Sequence, residues 1–491
     1  MVEIAADATH NGIPVWWSDS RDVATGSLIF GVGIRDEPVA TLGITHLLEH
    51  IILNRMEPIT VVHSAVVTEE TVTFSAWGKP RDVTAFLNAV AESIRTIGDL
   101  TEATVKLEKR SVEAEKPYNY NNAQSGLLTY RYGVPGIGSS NFGVPATVSI
   151  TRQELVDWCV KWFVVDNAAL TFNFASPPGL DVRIPIRPVV RFPQERHEIA
   201  TPVLVESEKG GVALSLLVGE ESAELLGEAI RVEMLATLRH WAGLIYSVGV
   251  LITRVNESQV ELAFVLDPLD RHLAKTVRKS VAELRRFSDV GFAGATIAAV
   301  HNDAEASWTD DARKDFDVGT HALDHVFGRR SSPSGERVAA AMSSTSESLR
   351  RLLSESMGSL LVAYDRDSAK KKDLPNRSVI RRDKFWPWQP MTPTELASIS
   401  EEDSTWDSRN SKSTLVLTPS HLIDISAGRS RGIALADIRL VGITPDNVLI
   451  LVDYRGRYLR LDRRDAVKWK SLRTSILERF PAEIVRTFAD R

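Results

Sequence analysis

FGVGIRDEPVATLGITHLLEHIILN, residues 30–54, is the stretch on which the reading of this chain turns. It completes an apolar run, SLIFGVGI (27–34), whose composition predicts a strand. An acidic turn, Asp36-Glu37-Pro38, then leads through Leu42-Gly43 into a second apolar run with helical spacing. On that helix His46 and His50 lie four residues apart and project from one face, able to grip one metal ion. Glu49 shares their side, while Leu47, Leu48, Ile51 and Ile52 supply a face for the core. Neutral imidazole suits Zn2+, and a carboxylate beside the metal can take a proton from water.

A catalytic zinc needs a third protein ligand. The segment TEATVKLEKRSVEAE (101–115) predicts a helix that offers four glutamates. Glu102 and Glu113 share a stripe with Lys106 and Lys109, as on a solvated face. Glu108 and Glu115 share the opposite stripe with Val105 and Val112, where an unpaired carboxylate is costly and a metal would compensate it. Glu115 is therefore expected as a ligand and Glu108 as its supporting carboxylate.

Around this core the 491 residues divide at proline-rich joints. Pro177, Pro178, Pro185, Pro188, Pro193 and Pro202 mark the first, and Lys370–Lys372 with FWPWQPMTP (385–393) the second. The expected division is a zinc-site domain at 1–185, a linker at 186–199, a second domain at 200–366, a linker at 367–394 and a β-rich domain at 395–491. The second domain repeats the pattern of the first, with VALSLLVG (212–219), Leu226-Gly227 and a helix. Aligning the Leu-Gly pairs sets Ile230, Glu233 and Met234 opposite His46, Glu49 and His50, so one repeat has lost the polar chemistry.

Lys plus Arg number 58 against 64 acids, a net charge of -6 that argues against non-specific nucleic-acid binding. A single cysteine, Cys159, excludes a disulfide framework, and the apolar runs are too short for a transmembrane segment. With no signal peptide evident, a cytoplasmic location is expected.

The chain resembles the pitrilysin/insulinase group of zinc metallopeptidases, whose signature is the inverted motif H-x-x-E-H. The resemblance rests on residues 30–50, on EKRSVEAE (108–115), on the stretch from Tyr132 to Leu170 and on LRHWAGLIYSVG (238–249), and spans about 10–366. It implies an α+β fold with two homologous sheet-and-helix domains, Zn2+ on His46, His50 and Glu115, and Glu49 as general base. It also implies that Arg239 and Tyr246 hold substrate or its oxyanion, and that substrate pairs with a strand near His63, Ser64 and Ala65. The interval from His50 to Glu115 is shorter than the family's, so a helix usually placed after the zinc helix is missing.

The implied reaction is hydrolysis of peptides or unfolded polypeptide segments, by a homodimer or by a heterodimer with a related subunit. Two other readings stand beside it: an inactive scaffold that binds a partner protein, and an enzyme dedicated to one peptide precursor. Residues 436–480 resemble bacterial pleckstrin-homology-like domains, which implies a docking module. Its Arg457, Arg460, Arg463 and Arg464 face either an anionic partner or only solvent. A second match, His321-Ala-Leu-Asp324-His325, lacks a glutamate-rich helix after it and reads as a surface helix.

Overall fold

A computed structural model of the chain describes residues 8–19, 23–58, 60–115, 123–175, 177–191, 198–207, 210–268, 270–367, 374–409, 412–426 and 429–489. Pro193 and the lysine run 370–372 lie outside the described residues. Strands β1 (Ala8–His10), β2 (Ile13–Trp17) and β3 (Ala24–Phe30) precede helix α1 (Ile44–Asn54). Then come β4 (Val62–Val67), β5 (Val72–Gly78), α2 (Pro80–Arg95), α3 (Glu102–Ala114), α4 (Leu127–Tyr132), α5 (Arg152–Trp162) and β6 (Ala168–Phe172). The sheet runs β1-β2-β6-β3-β5-β4, with β2 and β6 parallel and the other pairs antiparallel. Helices α1, α2 and α5 bury their apolar faces against it in one continuous core. Strands β1 and β4 form its two edges, and β4 pairs with no strand but β5 among the described residues. The expected strand at 27–34 runs instead from 24 to 30. Beyond Phe30 the chain crosses the β4–β5 turn, where Ile34 and Arg35 donate to the Thr68 and Glu69 carbonyls. A Cβ at Gly33 would lie 2.5 Å from the Glu69 backbone, so this crossing needs glycine.

The same order of elements returns with β7 (Val203–Ser207), β8 (Val212–Gly219), α6 (Glu220–Met234), β9 (Ile245–Arg254), β10 (Gln259–Pro268), α7 (Leu273–Val290) and α8 (Gly294–Ser307). Next follow α9 (Asp310–Phe327), α10 (Ser334–Ser343), α11 (Ser346–Ser356), β11 (Leu361–Asp365) and the added edge β12 (Arg381–Asp383). In the second sheet, β12-β7-β11-β8-β10-β9, the five strands from β7 to β9 repeat β2 to β4 of the first, with the parallel pair β7–β11 matching β2–β6, while β12 adds parallel to β7 where β1 is antiparallel to β2. The two Leu-Gly pairs are not equivalent, however. Gly43 precedes α1 in a left-handed conformation, whereas Gly227 lies inside α6, where its missing side chain lets the helix approach Leu262 and Val250.

The two units exchange cover. Val318, Ala322 and Val326 of α9 pack on Trp16, Ile29 and Ala169 of the first sheet. In return Ala123, Leu127 and Tyr130 pack on Val203, Val205, Ala213 and Ala363 of the second. Buried Arg131 fastens this exchange, donating to the Ser359 carbonyl at 2.8 Å and lying 3.4 Å from Glu261.

The C-terminal residues form β13 (Gln389–Pro390), α12 (Pro393–Ala397), β14 (Ser404–Asp407), β15 (Ser413–Leu417), β16 (His421–Ser426) and β17 (Arg429–Ala434). A second small sheet holds β18 (Ile438–Ile443), β19 (Leu449–Asp453), β20 (Tyr458–Leu461) and β21 (Val485–Thr487), with α13 (Trp469–Leu477) closing a shared core. The turn expected at Arg455-Gly456 joins β19 to β20, with Gly456 at positive φ. This module is seated on the first unit. Leu440, Val452 and Phe488 enclose Val39, Ala40 and Leu42, the residues that lead into α1. Among the described residues no helix is long and apolar enough to cross a membrane.

Candidate metal centre

Helix α1 is fixed before its polar residues are placed. Leu47, Leu48, Ile51 and Ile52 are fully buried, and Trp158 Nε1 of α5 donates to Thr45 Oγ1 at 3.1 Å. Its first turn is capped from a distance by buried Glu37, whose two carboxyl oxygens accept from Gly43 N (2.6 Å) and Thr45 N (2.9 Å). Burial pushes the Glu37 pKa up to about 7 against these stabilising bonds. Only the acidic turn itself hints at this long-range cap in the sequence.

The remaining face of α1 looks towards α3. His46 Nε2 and His50 Nε2 lie 3.2 Å apart, and Glu115 places its oxygens 3.3 Å from the first and 3.2 Å from the second. A tetrahedral zinc with bonds of about 2.0–2.1 Å holds its ligand atoms about 3.3 Å apart, so these three side chains fit that ion. Among the described residues they are the one group that gathers three metal-ligating side chains. Burial and the neighbouring His50 lower the His46 pKa, favouring the neutral ring that can ligate. Glu115 sits just past the last turn of α3 and is 51% exposed, more open than its stripe suggested.

Glu108, on the buried stripe, lies 3.5 Å from His50 Nδ1, the nitrogen that points away from the cluster. Its other oxygen is buried without a hydrogen bond among the described residues. Glu49 Oε2 stands 3.8 Å from His46 Nε2. Burial pushes its pKa up to about 7, partly offset by His50, and Glu115 adds to the rise. A carboxyl poised there can both accept and return a proton near neutrality.

His63, Ser64 and Ala65 lie on the edge strand β4, opposite Ala76, Ser75 and Phe74 of β5. The His63 ring stacks on Phe86 and its Nδ1 is 2.9 Å from the Val61 carbonyl, so it stands apart from the metal group. Arg239 lies in the π-helical turn that follows α6, and Tyr246 at the start of β9, an edge of the second sheet. The Arg239 guanidinium stacks on the Tyr246 ring at 5.0 Å, and the ring is largely exposed. These two residues form one patch, but among the described residues no hydrogen bond or ion pair joins them to His46, Glu49, His50 or Glu115.

The lost repeat and the second motif both serve structure. Glu233 accepts from Ala293 N and Thr296 Oγ1 at the start of α8, both at 2.8 Å. Asp324 accepts from Ser331 N and Oγ, and His325 packs on Trp16. In the C-terminal module Arg457 is buried against Asp453 at 2.6 Å, and Arg464 pairs with Asp462.

No protein-family model and no curated protein matches the sequence. Solved structures do match its fold. The peptidase M16 inactive domain from Pseudomonas fluorescens superposes with a TM-score of 0.59 at 14% identity, over 74% of this chain and 98% of its own. A protease from Helicobacter pylori gives 0.59 at 15%, over 74% of this chain and 99% of its own. Pitrilysin gives 0.53 at 15%, over 74% of this chain and 45% of its own. The chain thus has a pitrilysin-type α+β fold, two repeated sheet-and-helix units followed by a small β-rich module. Among structures of that fold stand both proteases and a domain described as inactive.

Proposed function

We propose that the chain is a zinc-dependent metalloendopeptidase acting on peptides or unfolded polypeptide segments. The observation that carries this reading is the cluster of His46 Nε2, His50 Nε2 and the two Glu115 oxygens, in which the rings lie 3.2 Å apart and each has one carboxylate oxygen at 3.2–3.3 Å. These three side chains would hold zinc, which would supply a Lewis acid and lower the pKa of water towards neutrality. Glu49 takes a proton from the attacking water and passes it to the leaving amine nitrogen as the peptide C–N bond breaks. Glu108 orients the His50 ring so that Nε2 faces the centre. An extended substrate adds to the β4 edge at His63, Ser64 and Ala65, through backbone hydrogen bonds that do not depend on side-chain identity. Arg239 and Tyr246 act on the substrate carbonyl or the oxyanion when a second edge closes over the site. We assign that closure to a dimer, either of two copies or with a related subunit. The C-terminal module, in our reading pleckstrin-homology-like, docks a partner or a dedicated precursor. We assign the chain to the cytoplasm; buried Cys159, its thiol pKa pushed up to about 12 by desolvation, takes no part in the chemistry.

The test is cleavage of an unfolded polypeptide by zinc-loaded wild type and Glu49→Gln. The reading expects turnover to fall at least about 100-fold with zinc retained. A variant that cleaves at the wild-type rate removes Glu49 from the chemistry. A wild type that binds zinc and cleaves nothing favours the scaffold reading, to which the inactive relative of the same fold lends support.

A further inference from the structure

Away from the metal centre, the joint between the second unit and the C-terminal module forms a half-open cavity of about 370 Å³. Its walls come from three places: the crossing segment 382–390, the start of β17 and the β19–β20 turn. Six basic side chains line it, Arg382, Lys384, Arg429, Arg431, Arg455 and Arg457, against one acid, Asp383. From outside the lining, Asp453 neutralises Arg457 and Asp424 neutralises Arg431. Arg382 donates to the Pro375 carbonyl, which leaves Lys384, Arg429 and Arg455 against Asp383, a surplus of two positive charges in a half-open recess.

The framework of this cavity is rigid. Arg457, only 7% exposed, is held by Asp453 and also donates to the Trp386 carbonyl at 3.4 Å. Strand β13 ties the crossing segment to Gly432 and Arg431 of β17. Within it, Arg455 Nη2 is buried, lies 3.5 Å from Asp383 Oδ2 and makes no hydrogen bond among the described residues. A buried guanidinium N–H without an acceptor is costly, and an oxyanion would satisfy it. Trp386, 40% exposed, and Trp388 add flat apolar surface to the lining, one face of Trp388 being already covered by Arg431.

We propose that this cavity binds a small soluble organic phosphate, its phosphoryl group on Arg455, Lys384 and Arg429 and its apolar or aromatic body against Trp386. The charge surplus suits a phosphate monoester, which carries about −1.5 to −2 at neutral pH, better than a single carboxylate. The volume is that of a small-molecule site, about 300–1,000 Å³, and exceeds what an inorganic ion fills. Because the cavity spans two parts of the fold, a ligand there also braces the C-terminal module against the second unit.

The test is calorimetric titration of the full chain with adenosine monophosphate, inorganic phosphate and adenosine, and co-sedimentation with vesicles carrying phosphoinositide. Adenosine monophosphate is expected to bind at least tenfold more tightly than inorganic phosphate, with adenosine undetectable and binding weakened by salt. Arg455→Ala should reduce the affinity at least tenfold, as should the paired exposed substitutions Lys384→Ala and Arg429→Ala, which do not touch the packed framework. The proposal is overturned if adenosine monophosphate does not bind at millimolar concentration, if only the vesicles bind, or if the folded variants bind as tightly as wild type.

Discussion

The cap on the zinc helix offers a quantitative test of how the fold places its site. Glu37→Ala removes both acceptors from Gly43 N and Thr45 N, groups that lie in the fully buried first turn of α1. An orphaned buried donor costs about 1–3 kcal/mol, so the pair should cost about 2–6 kcal/mol, with the lower end reached if water enters the space left. Glu37→Gln keeps one acceptor and should cost roughly half as much. Because burial raises the Glu37 pKa to about 7, the comparison belongs at pH 8, where the carboxylate predominates. Urea unfolding gives the overall cost, and amide exchange of residues 43–50 localises it to the start of α1. Thr45 directly precedes His46, so zinc affinity should fall at least tenfold, which is about 1.4 kcal/mol. A Glu37→Ala protein that unfolds within about 0.5 kcal/mol of wild type, with exchange at α1 unchanged, would refute the reasoning.

Other expectations follow from the same contacts. Glu108→Leu should leave stability unchanged or raise it, since one buried oxygen has no hydrogen bond among the described residues, while zinc affinity falls about 10–100-fold. Equal losses in both measurements would make Glu108 merely structural. The first unit and the C-terminal module are joined by Arg486 and Glu154 at 2.7 Å. Burial raises the Glu154 pKa, but hydrogen bonds from Thr151 and Arg486 outweigh it and the net shift is downward. A depressed carboxyl contributes stability that is present above its ordinary value of about 4.5 and is lost as pH falls through the lower folded value. Acid should therefore loosen this contact below about pH 4.5, and Glu154→Gln should abolish that part of the pH dependence of exchange at residues 485–488.

Much of this was legible along the chain because it depends on local spacing. The H-x-x-E-H helix, the α3 stripe with Glu108 buried, the repeated strands and the β19–β20 turn each follow from residues within a few turns of one another. The rest depends on partners far apart in sequence. Nothing near Arg131 announces that it enters the second unit beside Glu261, and the apolar face of α9 does not say which sheet it covers. The Leu-Gly pairs looked equivalent because composition cannot separate a helix entry from a close helix–sheet contact. Arg457 looked like one of four surface arginines, yet it is the buried partner of Asp453.

The central claim is that His46, His50 and Glu115 form one zinc site, and metal content tests it most directly. Wild-type protein should hold about one zinc per chain after dialysis, and Glu115→Gln should lose it while keeping the wild-type circular dichroism spectrum. Zinc retained at full occupancy in Glu115→Gln would contradict the assignment of Glu115, and a wild type that cannot be loaded with zinc would contradict the site as a whole.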